Sequence, residues 1–440
     1  MNVEIASEPL LLWNGAVEHS PAVLVACHSP EHVRAALQRA REEELPVSVL
    51  GGGHDWAGRA VRPGGLVIDL RPMRAVAVQG GVAEVGGGAT AVDLVAAAAD
   101  AGYAAATGTV GAVGMAGLAL GGGYGPLCGV AGLALDTLLG AEVVLADGTI
   151  VTTDAEHEPE LFWALRGGGG NFGVVTSMRF RLQPHPTVLA GSVLFPFSQA
   201  AEVLTGHGEL LAEAPDALTV QTGIISSPDG TPVVFVNPTW AGELREGESW
   251  IQRIERLGAP IMSMVGPVPY AEPLRRGDQL FAADGRRYAI RTRWLPALTA
   301  EAVSALIAAG QERTSPLSAI SIHHFHGAAT RVGVGDTTFG IRREHFMVEL
   351  LASWREGDDN RHRTWADAAA NRLRPHALPG GYANLLAADH HEQIANAYGP
   401  NAERLLAMKA SVDPEHMFTA IALPTASSPT FPAGPGASGS

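Results

Sequence analysis

Four clusters of glycine, one of them followed directly by a histidine, are the residues of this 440-residue sequence whose types and spacing could do chemistry. Backbone N–H groups exposed in such loops can bind a phosphate or pyrophosphate group, and glycine lets the chain pass close to a ligand. His54 follows the first cluster without a spacer. The clusters span residues 51–53, 86–88, 121–125 and 167–173. The sequence therefore predicts loops that lie against an extended ligand.

Two clusters have spacings similar to the dinucleotide-binding fingerprint, but neither has its context. The spacing Gly168-x-Gly170-x-x-Gly173 comes after a helix-like run and before a strand, whereas the fingerprint needs a strand first and a helix second. The run from Gly86 to Ala91 leads from strand to helix, yet no Asp or Glu lies about 20 residues further on to bind a ribose. A nicotinamide dinucleotide site of this kind is therefore not expected.

Composition and charge exclude several other functions. The 30 basic residues include a single lysine, Lys409, which follows no glycine-rich loop, so neither a P-loop nor a lysine Schiff base is expected. The net charge of −15 and the lack of a basic run argue against nucleic acid or an anionic membrane surface as a partner. No apolar run reaches the roughly 18 residues of a membrane span.

The cysteine content and the N-terminus predict a cytoplasmic protein. Cys27 and Cys128 are too few for a disulfide framework or a multi-cysteine zinc site. Residues 1–13 contain no basic side chain, so the charged start of a secretory signal is missing.

Alternating strand and helix signals must position the glycine loops. In the N-terminal part, helices are predicted after Ser29 and Thr90, and Asp147-Gly148 predicts a hairpin turn. From about Thr187 the pattern is typical of an α+β domain with an antiparallel sheet. The predicted strands span 23–26, 46–50, 66–70, 76–78, 82–85, 141–145, 149–153 and 174–182 in the first part, and 218–224, 232–236, 319–326 and 346–354 in the second, before a helix over 401–411.

Together, the glycine clusters and a set of C-terminal motifs resemble the flavin oxidoreductases with the p-cresol methylhydroxylase/vanillyl-alcohol oxidase (PCMH-type) FAD-binding fold. The resemblance is closest to the berberine-bridge-enzyme-like oxidases of bacterial type. The motifs follow the family's order over nearly the whole chain. They are Gly51 to Gly58, Gly108 to Gly125, Gly167 to Val175, Tyr382 to Asn384, Tyr398-Gly399 and Val412 to Phe418.

The resemblance implies an α+β fold with four regions. Residues 1–186 would form the PCMH-type FAD-binding domain, made of two α/β subdomains. Residues 187–376 would form an antiparallel-sheet α+β substrate domain, and residues 377–424 a berberine-bridge-like segment that returns to the FAD domain. The tail, residues 425–440, is rich in Ser, Gly, Pro and Ala and is expected to be disordered.

The resemblance also implies that FAD is bound covalently, through His54 alone. His54 stands where the family bonds a histidine to the 8α-methyl group of FAD. The cysteine that many members use for a second attachment corresponds to Gly114 here, and Cys128 lies past the glycines. The residues expected to contact FAD are Gly51, Gly52, Gly53, His54, Asp55, Gly58, Thr107, Gly108, Gly111, Gly114, Met115, Gly117, Leu118, Gly122, Gly125, Gly170, Asn171, Gly173, Val175, Tyr382 and Asn384.

The catalytic base is left open among several residues. The position that holds the base in several relatives, counted back from Trp354, falls on Met347, which cannot accept a proton. Glu349 is the nearest ionisable side chain on the same strand face. The candidates are Tyr124, Glu349, His324 and Tyr382.

Three histidines lie on one predicted strand. Alternation puts His324 and His326 on one face and His323 on the other. No further ligand with suitable spacing accompanies them, so no metal site is expected. His324 and His326 are instead expected to form a polar wall of the substrate pocket.

The expected function is that of an FAD-dependent oxidase. A small alcohol, hemiacetal or amine would give hydride to flavin N5 while a base takes the proton from the adjacent O–H or N–H, and oxygen would be reduced to hydrogen peroxide. One alternative is a dehydrogenase with another electron acceptor, which the residue at the oxygen face of the flavin, such as Met115, would decide. The other is a non-catalytic flavin-binding protein.

Overall fold

The computed structural model describes residues 3–4, 10, 12–184 and 186–425 of the chain. From residue 426 onward, the tail expected to be disordered lies outside the described residues. The described chain contains three β-sheets that follow one another along the sequence. Helices pack on these sheets, and together they enclose the glycine loops.

The first sheet is small and mainly parallel. Its elements are β1 (Val3–Glu4), β2 (Val23–Ala26), α1 (Pro30–Glu42), β3 (Val47–Leu50) and β4 (Leu66–Asp69). Strands β2 and β3 both pair with β4 in parallel, and β1 pairs with β2 antiparallel. Ser29 caps α1, since its Oγ accepts the N–H of His32, as predicted.

The second sheet is antiparallel. Its strands and the helices between them are β5 (Val76–Gln79), β6 (Val82–Gly86), α2 (Ala91–Asp100), α3 (Met115–Gly121), α4 (Cys128–Ala131), β7 (Leu138–Val144), β8 (Ile150–Asp154), α5 (Pro159–Gly168) and β9 (Val174–Arg181). The strand order is β5-β6-β9-β7-β8. Thr90 begins α2, and the turn at Asp147-Gly148 joins β7 to β8, as predicted.

The third sheet is antiparallel and provides one wall of the candidate site. Its strands are β10 (Thr187–Pro196), β11 (Leu218–Ser226), β12 (Pro232–Trp240), β13 (Met262–Pro269), β14 (Arg287–Leu295), β15 (Ala319–Phe325) and β16 (His345–Trp354), in the order β13-β10-β12-β11-β15-β16-β14. Its helices are α6 (Ala200–Leu211), α7 (Leu244–Glu255), α8 (Ala271–Leu280), α9 (Ala300–Gln311), α10 (Ala328–Arg331) and α11 (Asp359–Leu373). Helices α6, α9 and α11 cover one face of the sheet with a large apolar core.

The C-terminal region returns to the second sheet. It contains α12 (His391–Asn396) and α13 (Ala402–Val412), so the helix predicted over 401–411 is present. Helix α13 packs on α5, where Arg404 and Glu160 form an ion pair of 2.6 Å. The hydroxyl of Tyr398 donates to the carbonyl of Ala422 over 3.2 Å. These contacts hold residues near the end of the described chain against the fourth glycine cluster.

In the part of the chain that the structure describes, no helix combines the length and hydrophobicity needed to cross a bilayer. Nor does any group of three or more His, Cys, Asp or Glu side chains there have an arrangement that could hold a metal ion.

Candidate active site

One large cavity brings together most of the residues predicted to contact a ligand. Its volume is about 350 Å³, and it lies between the glycine loops, the uncovered face of the third sheet and the C-terminal region. The predicted residues that line it are Gly51, Gly52, Gly53, His54, Asp55, Gly108, Gly114, Gly117, Leu118, Tyr124, Gly170, Gly173, Val175, Glu349, Tyr382 and Asn384. Gln221, His323 and Met347 of the third sheet also line it.

Several residues predicted to contact the cofactor lie behind the cavity wall instead. A Cβ on Gly125 would come 1.9 Å from the carbonyl oxygen of Thr107, and one on Gly111 would come 2.5 Å from Oδ2 of Asp278. Gly58 has a φ of +76°, which favours glycine. These glycines are needed for close packing of the loops. The residues of the predicted set that do not line the cavity of the described structure are Gly58, Thr107, Gly111, Met115, Gly122, Gly125 and Asn171.

Met115 does not lie at the cavity, contrary to the sequence-based expectation. Its side chain is fully buried in the core of the second sheet. Its neighbours Gly114 and Ala116 line the cavity instead. Met115 is therefore not in a position to decide between oxygen and another electron acceptor.

Lys409 anchors the C-terminal return beneath the cavity. Its Nζ pairs with Asp413 at 2.5 Å and donates to the carbonyls of Asn171 and Phe418, each over 2.7 Å. The side chain of Asn171 also accepts the N–H of Ala420 over 2.8 Å. The backbone from Phe418 to Ala420 therefore lines the cavity beside the fourth glycine cluster. The sequence did not reveal this role, because Lys409 lies in a run that reads as an ordinary surface helix.

His54 lies in the cavity wall as a neutral imidazole. Its ring stacks on Trp13, with centroids 5.5 Å apart, and Trp13 stacks in turn on Tyr288 of β14 at 3.8 Å. Burial lowers the pKa of His54 to about 4, and the charge of Asp278 opposes that shift. One ring nitrogen is therefore unprotonated at neutral pH and can act as a nucleophile.

The loops that carry His54 and Gly114 touch through their backbones. A Cβ on Gly52 would lie 2.3 Å from the backbone N of Gly114, and a Cβ on Gly114 would lie 2.5 Å from the N of Gly52. A Cβ on Gly117, in contrast, would meet no described protein atom within 4 Å. The backbone contact between Gly52 and Gly114 leaves no gap in the cavity wall at that point. Gly117 leaves open space along the same wall for a flat ligand.

The phenol oxygen of Tyr382 accepts two hydrogen bonds at the cavity. The N–H of Gly123 donates to it over 2.8 Å and Nδ2 of Asn384 over 3.1 Å. Burial raises the pKa of Tyr382 to about 12, and these two donors oppose the rise because they stabilise the phenolate. The charge of Glu349 adds to the rise. The O–H of Tyr382 is not used by either bond, so it can donate a hydrogen bond to a ligand in the cavity.

Tyr124 uses its hydroxyl differently. The oxygen lies 2.8 Å from Nε2 of His345, whose Nδ1 lies 2.8 Å from the carbonyl oxygen of Arg343. A carbonyl only accepts, so Nδ1 carries the proton; burial lowers the pKa of His345 to about 3, which keeps the ring neutral. Tyr124 must then donate to Nε2. Burial also raises the pKa of Tyr124 well above its usual value. No sequence motif marks His345, which lies two residues before Met347 on the same face of β16.

Glu349 belongs to a polar cluster on the cavity face of the third sheet. Its Oε2 lies 3.3 Å from Nε2 of His323, which is 3.1 Å from Oγ of Ser321. Nε2 of Gln221 donates to the same Oγ over 2.8 Å. Antiparallel pairing explains the grouping, since Ser321 lies opposite Glu349 and Gln221 lies opposite His323.

His324 and His326 lie on the other face of β15, so the expectation that they line the pocket was wrong. Nε2 of His324 is 2.9 Å from Oε1 of Glu344, and the rings of the two histidines stack at 4.1 Å. His207 of α6 lies on the same, helix-covered side, within reach of Phe346. The alternation was predicted correctly, but His323 is the histidine that faces the cavity.

Comparison with known proteins identifies what this chain is similar to. A family model for an FAD-binding domain matches residues 21–154, and a model described as berberine and berberine like matches residues 381–421. The (R)-6-hydroxynicotine oxidase of Paenarthrobacter nicotinovorans is 30% identical over 431 residues, which cover 92% of each protein.

Solved structures give the same relationship. A crystal structure of 6-hydroxy-D-nicotine oxidase from Arthrobacter nicotinovorans superimposes with a TM-score of 0.86, at 29% identity and over 96% of both chains. A glucooligosaccharide oxidase from Acremonium strictum, described with a 6-S-cysteinyl, 8α-N1-histidyl FAD, gives a TM-score of 0.82 at 25% identity, over 94% of both chains.

Proposed function

The chain belongs to the berberine-bridge-enzyme-like family of FAD-linked oxidases, and we propose that it oxidises a small alcohol, hemiacetal or amine with FAD held covalently through His54. It is an FAD-dependent oxidase with the PCMH-type α+β fold. FAD bound in the cavity would supply the hydride acceptor, and oxygen would reoxidise it with formation of hydrogen peroxide. The observation that carries the proposal is one cavity lined both by a neutral His54 and by the polar groups of Tyr382, His323 and Glu349.

The cavity residues fit FAD. The glycine loops line the cavity, and without side chains their backbone can come close to a bound dinucleotide. At Gly117, a side chain would project into open space that a ligand can fill. The fourth cluster and the backbone of Phe418 to Ala420 line another part of the same cavity. We propose Gly51–Gly53, Gly108, Gly114, Gly117, Gly170, Gly173 and Asn384 as FAD contacts.

Single attachment through His54 follows from the chemistry of the two loops. His54 is neutral, as a nucleophile must be. Gly114 carries no thiol where the doubly attached relatives have a cysteine. Cys128 lies outside the cavity lining, and burial raises the pKa of its thiol to about 12, which keeps it unreactive.

Among the four candidates, Tyr382 is our proposed base. The hydroxyl of Tyr124 donates a hydrogen bond to His345, and His324 faces away from the cavity. Glu349 lies with its Oε2 3.3 Å from Nε2 of His323, and its charge raises the pKa of Tyr382. Tyr382 alone presents a phenol oxygen that two N–H donors prepare for negative charge.

The substrate is a small molecule with an O–H or N–H beside the oxidised C–H. The wall formed by Gln221, His323 and Glu349 can bind polar groups of such a molecule, while Met347 and Leu351 supply apolar contact. The named relatives act on a hydroxynicotine and on glucooligosaccharides. We therefore keep alcohols, hemiacetals and amines together as the proposed class.

The domain division proposed for this function follows the three sheets. The first two lie within residues 1–186, the third within 187–376, and the C-terminal segment of 377–424 contributes Tyr382 and Asn384 to the cavity. We also propose the cytoplasm as the compartment, since Cys27 and Cys128 are both unpaired thiols.

Two measurements test the function. Substrates from the three classes are added without oxygen, and loss of the flavin absorbance identifies a reductant; admission of air should then restore the absorbance with one hydrogen peroxide per cycle. Acid-precipitated protein should stay yellow, whereas His54→Ala should release its flavin or lack it. A white wild-type pellet would exclude covalent attachment, and reoxidation by a dye but not by air would make the protein a dehydrogenase.

A further inference from the structure

A second cleft lies apart from the FAD cavity, where the edge strand β14 meets α11 and the segment before α12. Its volume is about 280 Å³. The groups that matter in it are Arg291 and Arg293 of β14 and His390 of the C-terminal segment. None of these three lines the cavity that contains His54.

Arg293 is a buried cation without a counter-ion among the described residues. Only 9% of the residue is exposed. Its Nε donates to the carbonyl of Ala370 over 3.1 Å, and its two terminal nitrogens have no acceptor within the described chain. Burial lowers the pKa of Arg293, and the charge of Glu392 opposes that shift. Arg293 lines the cleft, so its unpaired N–H groups can bind an acceptor that enters there.

His390 points a second unused donor into the same cleft. The N–H of Ala387 donates to its Nδ1 over 3.2 Å, so the neutral ring carries its proton on Nε2. Burial lowers the pKa of His390 to about 4, which keeps it neutral at pH 7. Nε2 is buried without a hydrogen-bond partner, and the nearest carboxylate oxygen, of Asp389, is 3.7 Å away.

The acidic groups of the cleft do not neutralise these donors. Asp367 binds Nε of Arg291 at 2.6 Å, and Asp389 lies 3.9 Å from Nη2 of the same side chain. Glu392 is exposed at the rim; its charge acts on Arg293, but the two side chains form no ion pair in the described structure. Asp367 and Asp389 are therefore held by Arg291, and Glu392 leaves the N–H groups of Arg293 free to bind another acceptor.

We propose that this cleft binds a small oxyanion, a carboxylate or phosphate group, between Arg293 and His390. The planar guanidinium fork matches two oxygens of such a group, and the imidazole N–H can bind a third oxygen of a phosphate or share one of the two oxygens of a carboxylate. The anion would join β14 to the C-terminal segment, where Gln393 already donates to the carbonyls of Thr292 and Gly380. Since the C-terminal segment also contains Tyr382, an anion bound in this cleft would help to hold Tyr382 in place without touching the cavity that contains His54.

The test is calorimetric titration of the flavin-loaded enzyme with inorganic phosphate and, separately, with acetate, at constant ionic strength in chloride. We expect saturable binding of at least one of the two anions, with one site per chain. Arg293→Met should weaken binding by about tenfold or more, the usual worth of charge-assisted hydrogen bonds. His390→Phe should weaken it as well. Arg361→Met, an exposed arginine on α11, is the matched control and should bind as the wild type does.

Folding of each variant is checked by its flavin spectrum and its melting temperature. If Arg293→Met does not fold, His390→Phe decides alone. Absence of saturable binding of both anions to the wild type overturns the proposal. So does wild-type affinity in every folded variant of Arg293 and His390, because the anion would then bind elsewhere.

Discussion

The hydroxyl of Tyr124 donates a hydrogen bond to Nε2 of His345 over 2.8 Å, across the boundary between the glycine-rich segment of residues 108–125 and the third sheet. His345 can only accept there, because its Nδ1–H is bonded to the carbonyl of Arg343. The bond fixes the orientation of the Tyr124 ring, but it uses the O–H of Tyr124, which therefore cannot bind a ligand. Tyr382, whose centroid lies 5.1 Å from that of Tyr124, is therefore the phenol of the pair with a proton available to the cavity.

The two tyrosines should respond differently to removal of the hydroxyl. Tyr382→Phe should slow anaerobic flavin reduction by about 10²–10⁴-fold, the usual contribution of a general base. Tyr124→Phe should slow it by less than about tenfold, because it removes only an orienting bond. Stopped-flow reduction by a substrate from the screen measures both.

Reoxidation by oxygen serves as the internal control for this pair, since that half-reaction does not need the base. A large loss in Tyr124→Phe with near-normal rates in Tyr382→Phe would reverse the assignment. Near-normal rates in both would pass the role to Glu349.

The pH dependence of flavin reduction should identify a phenol. With the pKa of Tyr382 raised to about 12, the phenolate fraction, and with it the rate, should increase through pH 7–10, by up to about tenfold per unit. Asn384→Leu removes a donor that stabilises the phenolate, so the pKa should rise further and the profile should move to higher pH. A profile that is flat above pH 6 in both proteins would instead indicate a carboxylate base.

Local signals accounted for much of the fold. Caps at Ser29 and Thr90 and the Asp147-Gly148 turn lie where the sequence put them. Strands β10, β13 and β14 were not identified. β13 contains Pro267 and Pro269 and lies at an edge with many exposed residues, and β14 places arginines where a strand pattern would have apolar side chains.

The cavity was predictable where backbone chemistry defined it and less so where side chains from distant strands meet. His54 is marked by its neighbours in sequence. His345 and His323 become relevant only through the pairing of β15 with β16 and through the choice of face that the helices cover. Alternation separates His323 from His324, but it does not say which of the two faces the cofactor.

Gly114 and Gly117, both in the glycine-rich segment of residues 108–125, should separate the effect of backbone packing from the effect of space for the ligand. Gly114→Ala forces a Cβ against the backbone N of Gly52. It should therefore lower the free energy of unfolding by about 1–3 kcal/mol, and with it the melting temperature, even without flavin. A Cβ at Gly117 meets no described protein atom within 4 Å, so Gly117→Ala should not destabilise the flavin-free protein but should reduce flavin incorporation. Equal melting temperatures for the wild type and Gly114→Ala without flavin would contradict the backbone contact.

Lys409 should be far more important for stability than other ion-paired cations of the same helix. Its side chain is 4% exposed and that of Asp413 is 0% exposed, so Lys409→Met leaves a buried carboxylate without its cation and should lower the free energy of unfolding by about 3–5 kcal/mol. Arg404→Met is the matched control, because the pair of Arg404 with Glu160 is largely exposed and should contribute at most about 1 kcal/mol. Urea unfolding of the three proteins measures the differences. Adding Asp413→Asn to Lys409→Met should recover part of the loss, since the uncompensated charge is then gone. Similar losses in the two single variants, or no recovery in the double variant, would show that the buried pair does not anchor the C-terminal return.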